Sequence, residues 1–198
     1  MTSSERLIHV HSVAEAYLYL MTLRCPRCGR GPVQPSQDLT KTSDHESAWR
    51  MPTRCGACEH LSTVHFEIKP EPTREAARSD CINPTSDRSS AIDVLGWLTL
   101  FQSIIAASER ETDRAAARQL AREAAQCLDE ALKFYEDAGD LPGHDAFFTD
   151  ESRQRFREHP QHFARSTWLQ RRLMLPEMKW TTTAARPRRL WQFWRGGR

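Results

Sequence analysis

The stretch Leu23-Arg-Cys25-Pro-Arg-Cys28-Gly-Arg30 and its echo Thr53-Arg-Cys55-Gly-Ala-Cys58-Glu-His60 decide how this chain is read. Each holds two cysteines separated by two residues, and 26 residues lie between Cys28 and Cys55. Two intervening residues let both sulfurs turn to the same side of a tight loop. Two such loops facing each other make a tetrahedral thiolate cage for a soft divalent ion. A cage built of four thiolates is closed and keeps no position for an activated water, so the pattern speaks for a structural metal and against metal catalysis. Gly29 and Gly56 stand beside or inside the knuckles, where tight turns call for positive φ.

Outward from the cysteines, the pattern first predicts strand and helix. Leu7–Val10 has the composition of a short strand. Ser12-Val-Ala-Glu15 has the form of a capping box, and Val13, Ala16, Tyr17 and Leu20 recur behind it at helical spacing, which predicts a helix from 13 to about 22. After Cys58, residues 63–68 alternate Val64, Phe66 and Ile68 with polar neighbours, as a half-buried strand does. The polar insert 34–47 reads as a loop between strands. Pro70, Pro72 and the polar run behind them read as a linker.

The segment 23–69 resembles the zinc ribbon, with two knuckles on short hairpins and a strand leaving the second. The resemblance implies one Zn²⁺ per chain with Cys25, Cys28, Cys55 and Cys58 as ligands. It covers about a quarter of the chain. Zinc ribbons serve in nucleic-acid machines, in enzymes and as docking modules, so the resemblance carries a fold and a metal but no activity. Rubredoxin is similar in caging iron with a double CxxC, yet its usual second knuckle has proline after the first cysteine, where Gly56 stands here. Iron is the lesser expectation. A thioredoxin-like dithiol follows a strand and opens a helix, and neither pair has that context.

The second half predicts helices. Ser90-Ala-Ile-Asp93 has the form of another capping box, followed by Val94, Trp97, Leu98, Phe101, Ile104 and Ile105, with Leu95 and Leu100 widening the stripe. Ser108-Glu-Arg-Glu111 suggests a third box, opening a longer helix to about Ala138 with Ala117, Leu120, Ala124, Cys127, Leu128, Ala131 and Phe134 inward. Gly139 and Pro142 are its stop signals. One more helix is expected after Thr149, ended by Pro160, and another from Pro160 to about Leu175. The fold class expected is therefore α+β, a small zinc ribbon joined to a bundle of about four helices. The organisation expected is 1–22 leading in, 23–69 ribbon, 70–88 linker, 89–176 helical domain and 177–198 basic aromatic tail.

Arg110, Arg114, Arg118 and Arg122 are four apart in this reading and would make a ridge about 18 Å long on the longer helix. Like charges at that spacing repel by a few tenths of a kcal/mol unless neutralised. The simpler account is neutralisation within the helix by Glu111 and Asp113; the sharper one is a binding ridge for a phosphate backbone or an acidic partner. Of the remaining cysteines, Cys127 reads as a small core residue and Cys81 has no identifiable base. His60 and His65 flank the second knuckle and could replace a ligand. His159 and His162 form an HxxH interrupted by Pro160.

The formal net charge of +2 conceals an asymmetry. Six basic and no acidic residues follow Met178, which leaves the preceding body at −4 (22 basic against 26 acidic residues). The tail interleaves Arg188, Arg189 and Arg195 with Trp191 and Trp194, a chemistry that suits a protein groove, single-stranded bases or an anionic bilayer surface. No run of eighteen apolar residues is present, and the N-terminus makes a poor secretory signal. Six cysteines, four in paired-ligand spacing, fit a reducing compartment, so the cytoplasm is the expected location. HExxH, phosphate-cradling glycine loops, GxSxG and the zinc-deaminase pattern are all missing, which leans against an enzyme. A zinc-stabilised adaptor that engages another protein is the leading expectation. A nucleic-acid-binding protein using the ribbon, the arginine ridge or the tail is the second, and a thiol or iron redox protein the third. Contact of the tail with a membrane surface is the least favoured of the partner readings.

Overall fold

The computed structural model describes residues 7–42, 48–68, 81–136 and 138–175. The chain is α+β and divides into two compact units, residues 1–91 and 92–198. The tail residues Arg188, Arg189, Trp191, Trp194 and Arg195 lie outside the described residues.

The first unit is a small sheet with one helix. Its strands are β1 (Leu7–Val10), β2 (Val33–Pro35), β3 (Thr40–Lys41), β4 (Ala48–Cys55) and β5 (Leu61–Ile68), with helix α1 (Val13–Thr22) between the first two. The order across the sheet is β1-β5-β4-β2, and β3 also pairs with β4. β4 and β5 are antiparallel over their length, from Ala48 opposite Glu67 to Arg54 opposite Leu61. β1 joins β5 in parallel, with Ile8 opposite Phe66. β2 and β3 lie end to end along the free edge of β4, at Cys55–Thr53 and Arg50–Trp49, as one interrupted strand. The insert read as a loop therefore contributes ladder residues at 34–35 and 40–41.

Period-two alternation sorts the sheet into two faces. Val33, Met51, Thr53, Cys55 and Phe66 are buried on one face, while Arg50, Arg54, Leu61 and Thr63 are exposed on the other. α1 brings Ala16, Tyr17, Leu18 and Leu20 into the core, and Tyr19 meets Phe66 edge-to-face at 5.9 Å between centroids. Burying a side chain such as Phe66 or Met51 contributes about 1.5–3 kcal/mol, and a unit this size has few of them.

Ser12 caps α1 as its sequence suggests, its Oγ accepting from Glu15 N at 3.1 Å. The Glu15 carboxylate reaches one residue further back than the box requires and accepts from His11 N at 2.5 Å. Residues 81–91 belong to this unit as well. Ser12 Oγ donates to Ile82 O at 2.6 Å, Ser90 Oγ donates to His9 O at 3.3 Å, and Ile82 is buried.

Within the second unit the described residues form α2 (Val94–Arg110), α3 (Arg114–Leu132), α4 (Asp150–Glu158) and α5 (Arg165–Leu173), with single-turn 3-10 helices at His144–Ala146 and Pro160–Phe163. α2 and α3 pack as a helical hairpin. The core stripes fall where the spacing puts them, with Val94, Trp97, Leu98, Phe101 and Ile104 buried on α2 and Leu120, Ala124, Cys127, Leu128 and Ala131 on α3. Three phenylalanines form a cluster in the same unit. Phe147 stacks on Phe156 at 4.5 Å, and Phe163 meets both edge-on at 5.3 and 5.5 Å.

Two helix starts differ from the expected boxes. α2 is capped by Asp93 rather than Ser90, because both Asp93 oxygens find N–H donors: Oδ1 accepts from Gly96 at 2.8 Å and Oδ2 from Phe148 at 3.0 Å. α3 starts at Arg114 under Asp113, whose Oδ1 accepts from Ala115 N at 2.8 Å. Ser108 stays inside α2 and spends its hydroxyl on Ala117 O at 2.8 Å, across the hairpin. α3 also ends earlier than expected, at Leu132, where Lys133 N turns back to Glu130 O at 3.3 Å.

Candidate metal centre

Each cysteine pair sits where a tight turn joins regular elements. The first lies between α1 and β2, the second on the hairpin joining β4 to β5. The two knuckles repeat one hydrogen-bond pattern. Cys25 N donates to Arg30 O at 2.7 Å and Cys55 N to His60 O at 2.9 Å; Gly29 N donates to Cys25 O and Glu59 N to Cys55 O, both at 2.9 Å. The residue one past the second cysteine must then take left-handed backbone, and Gly29 has φ +68° while Glu59 has φ +57°. The expectation of positive φ holds at Gly29 and moves from Gly56 to Glu59. In the second knuckle the turn falls after the motif rather than within it.

This pairing brings four sulfurs together. The Sγ atoms of Cys25, Cys28, Cys55 and Cys58 all lie within 4.8 Å of one another. Cys25 Sγ is 3.7 Å from Cys58 Sγ, and Cys28 Sγ is 3.7 Å from Cys55 Sγ. Disulfide sulfurs would be about 2.05 Å apart, so these are thiols. A tetrahedron with metal–sulfur bonds of about 2.3 Å has edges of about 3.8 Å, which the 3.7 Å contacts match. The cluster could hold a metal ion with all four ligands from the protein.

Its electrostatics favour a cation. The Cys55 thiol is drawn down to about 6 by the Ala57 N–H, which donates to its sulfur at 3.4 Å, then by the Cys58 N–H and the neighbouring thiols. Cys58 is pushed up to about 12: the His60 N–H lowers it, but burial and the sulfurs of Cys28, Cys55 and Cys25 outweigh that pull. Cys55 gives up its proton readily, while burial and the neighbouring sulfurs hold the proton on Cys58. A dication at the centre would favour the thiolate form of all four.

The other candidates separate from this centre. His60 serves it through its backbone, and His65 lies on the outer sheet face opposite Arg50, so neither joins the sulfur cluster. His159 and His162 stack ring on ring at 5.0 Å between centroids. Cys127 is fully buried, and burial followed by the charges of Glu123 and Glu130 pushes its thiol well up. Among the described residues the four cysteines make the one group of three or more His, Cys, Asp or Glu residues set to hold a metal.

The arginines 110, 114, 118 and 122 do not share one helix, because Arg110 ends α2 and Arg114 begins α3. The neutralisation expected of Glu111 and Asp113 is also not what these acids do: Glu111 Oε1 accepts from Asp113 N, and Asp113 caps α3. Arg110 Nε donates to Ala106 O, Arg118 Nε to Arg114 O, and Arg122 to Gln119 Oε1.

Sequence reasoning missed Glu15, whose carboxylate is fully buried and faces His11 Nδ1 at 3.0 Å. The signal was present, since Glu15 lies among the apolar positions of α1, but its spacing also suited an ordinary capping box. No helix among the described residues is long and apolar enough to cross a membrane. Comparison of the chain with protein families, with curated proteins and with solved structures gives no match.

Proposed function

We propose that this chain is a zinc-stabilised, non-enzymatic interaction module. In this reading residues 23–69 form a zinc ribbon and residues 89–176 a scaffold bundle of about four helices. The observation that carries it is the sulfur tetrahedron, with its 3.7 Å contacts between Cys25 and Cys58 and between Cys28 and Cys55. Four thiolates fill the coordination sphere of zinc, so the site has structural work and no open position for a substrate.

Bound zinc supplies about 10 kcal/mol or more of folding free energy in small modules of this kind. The protein's own part is to aim four sulfurs inward. Backbone N–H groups of Ala57 and His60 meet the sulfurs of Cys55 and Cys58, and left-handed turns at Gly29 and Glu59 close the knuckles. All four sulfurs share one cluster within 4.8 Å, with 3.7 Å contacts between the two knuckles, which favours a metal cage over a dithiol–disulfide couple of the thioredoxin kind.

Limited proteolysis of the full chain before and after chelation tests the reading. Stripping the metal should expose the sheet residues 48–68 to cleavage while cleavage within α2 and α3 stays slow. A chelated chain whose sheet stays protected would rule out a structural metal.

A further inference from the structure

The surface around the two knuckles is one-sided in charge. Arg24, Arg27, Arg30, Lys41, Arg50 and Arg54 are all exposed, against two acids, Asp38 and Glu59, among the described residues from 24 to 61. A tetrathiolate zinc site carries a formal charge of −2, so the arginines offset it and still leave about +2. The register places Arg50 and Arg54 on one face of the sheet, while Lys41, opposite Trp49, falls on the other. Gln34, Arg54 and Leu61 cross the sheet as one row, and Thr40, Arg50, His65 and Leu7 as another. α1 packs on the opposite face, where Tyr19 meets Phe66, and Arg50, Arg54, Leu61 and Thr63 are exposed on the face that bears the arginines. Arg50 donates to Thr40 Oγ1 at 3.3 Å, while Arg27, Arg30, Lys41 and Arg54 make no ion pair with any described residue.

We infer that this face, together with the knuckles, binds the phosphate backbone of a nucleic acid. The inference rests on the interaction-module reading and names its surface and its partner. Arg50 and Arg54 are four residues apart on one strand, about 13 Å, and the knuckle arginines extend the array beyond Cys55. Guanidinium groups suit phosphate oxygens through paired N–H donors. The large aromatics Trp49 and Phe66 are opposite one another on the other side of the sheet, so His65 and His9 are the rings this face carries. Recognition therefore goes to the backbone, with little preference among sequences.

The test is fluorescence anisotropy of a mixed-sequence oligodeoxynucleotide, single-stranded and duplex, titrated with the zinc-loaded full chain between about 50 and 200 mM salt. Four or so phosphate contacts give a log–log salt slope of about −3 to −4. Arg54→Gln with Arg27→Gln should lower that slope by about 2 and weaken low-salt binding about 10- to 100-fold, with one zinc per chain retained. Arg50→Gln, five strand residues from the nearest cysteine, should lower the slope by about 1, which separates phosphate contact from mere support of the metal site.

Several results would overturn the inference while leaving the module reading intact. These are no binding at low salt, unchanged binding in both variants (which would place the contact elsewhere, at Arg110–Arg122 or beyond residue 176), or stronger binding to phosphatidylserine vesicles than to DNA. A chain that contains no zinc would instead remove the module reading itself.

Discussion

Gly29 and Glu59 occupy matching positions, each one residue past the second cysteine of its knuckle and each in left-handed backbone, at φ +68° and +57°. The two turns share their hydrogen bonds, but only one has the residue that the conformation favours. A side chain other than glycine in this region costs about 1–2 kcal/mol. Glu59→Gly should therefore stabilise the zinc-loaded protein by about 0.5–1 kcal/mol, after the extra chain entropy of glycine is subtracted. Gly29→Ala should destabilise it by about 1 kcal/mol, although nothing lies within 4 Å of the added Cβ. Urea midpoints of the two variants check both signs.

Asp93 is a second pivot. One of its oxygens caps α2 through Gly96 N and the other takes Phe148 N, joining two segments 55 residues apart. Asp93→Ala should cost about 2 kcal/mol, the sum of a lost cap and a part-buried N–H left without an acceptor. Asp93→Asn keeps one acceptor oxygen and should cost about half as much. Equal losses in the two variants would contradict the division of labour between the oxygens.

Tyr135 gives the helical unit an alkaline limit. Its Oη donates to Phe163 O at 2.8 Å, and burial, with a smaller push from Asp140, raises its ionisation well above the usual tyrosine value of 10.0. In the unfolded chain the phenol loses its proton near pH 10, while in the folded chain it keeps it, so the unfolded state binds fewer protons above that point and stability falls. Below pH 10 the contribution is constant. Tyr135→Phe should cost about 1 kcal/mol at neutral pH and flatten the decline above pH 10. Thermal midpoints from pH 8 to 11 would show it, and a decline as steep in the variant would assign it to other groups, Cys127 first among them.

Much of the fold was legible because local and tertiary signals agreed. Leu7–Val10 and residues 13–22 follow from periodicity and the Ser12 cap, and the α2 stripe from Val94 to Ile104 is buried as its spacing requires. Helix starts failed where two cap candidates competed. Ser90 and Ser108 precede helices at plausible distances, yet Asp93 and Asp113 take the caps because a carboxylate offers two acceptors and their N–H donors lie in reach.

At the candidate metal centre, the grouping of Cys25, Cys28, Cys55 and Cys58 was legible from their spacing, since a CxxC folds locally. The geometry of the second knuckle did not follow, because glycine at 56 marked a turn whose left-handed residue is Glu59. The parallel pairing of β1 with β5 was equally hidden, being a contact between residues 58 apart that no local pattern records. The basic face emerged only from strand register, which sets Arg50 and Arg54 on the side opposite Met51 and Cys55.

The most direct test of the account is the metal content of the full chain purified without added metal, read together with its visible spectrum and its thiol count. The account predicts one zinc per chain, no visible colour, and thiols at Cys25, Cys28, Cys55 and Cys58 that resist alkylation until a chelator removes the metal. Iron with a coloured thiolate band, or four reactive thiols and no metal at all, would contradict it.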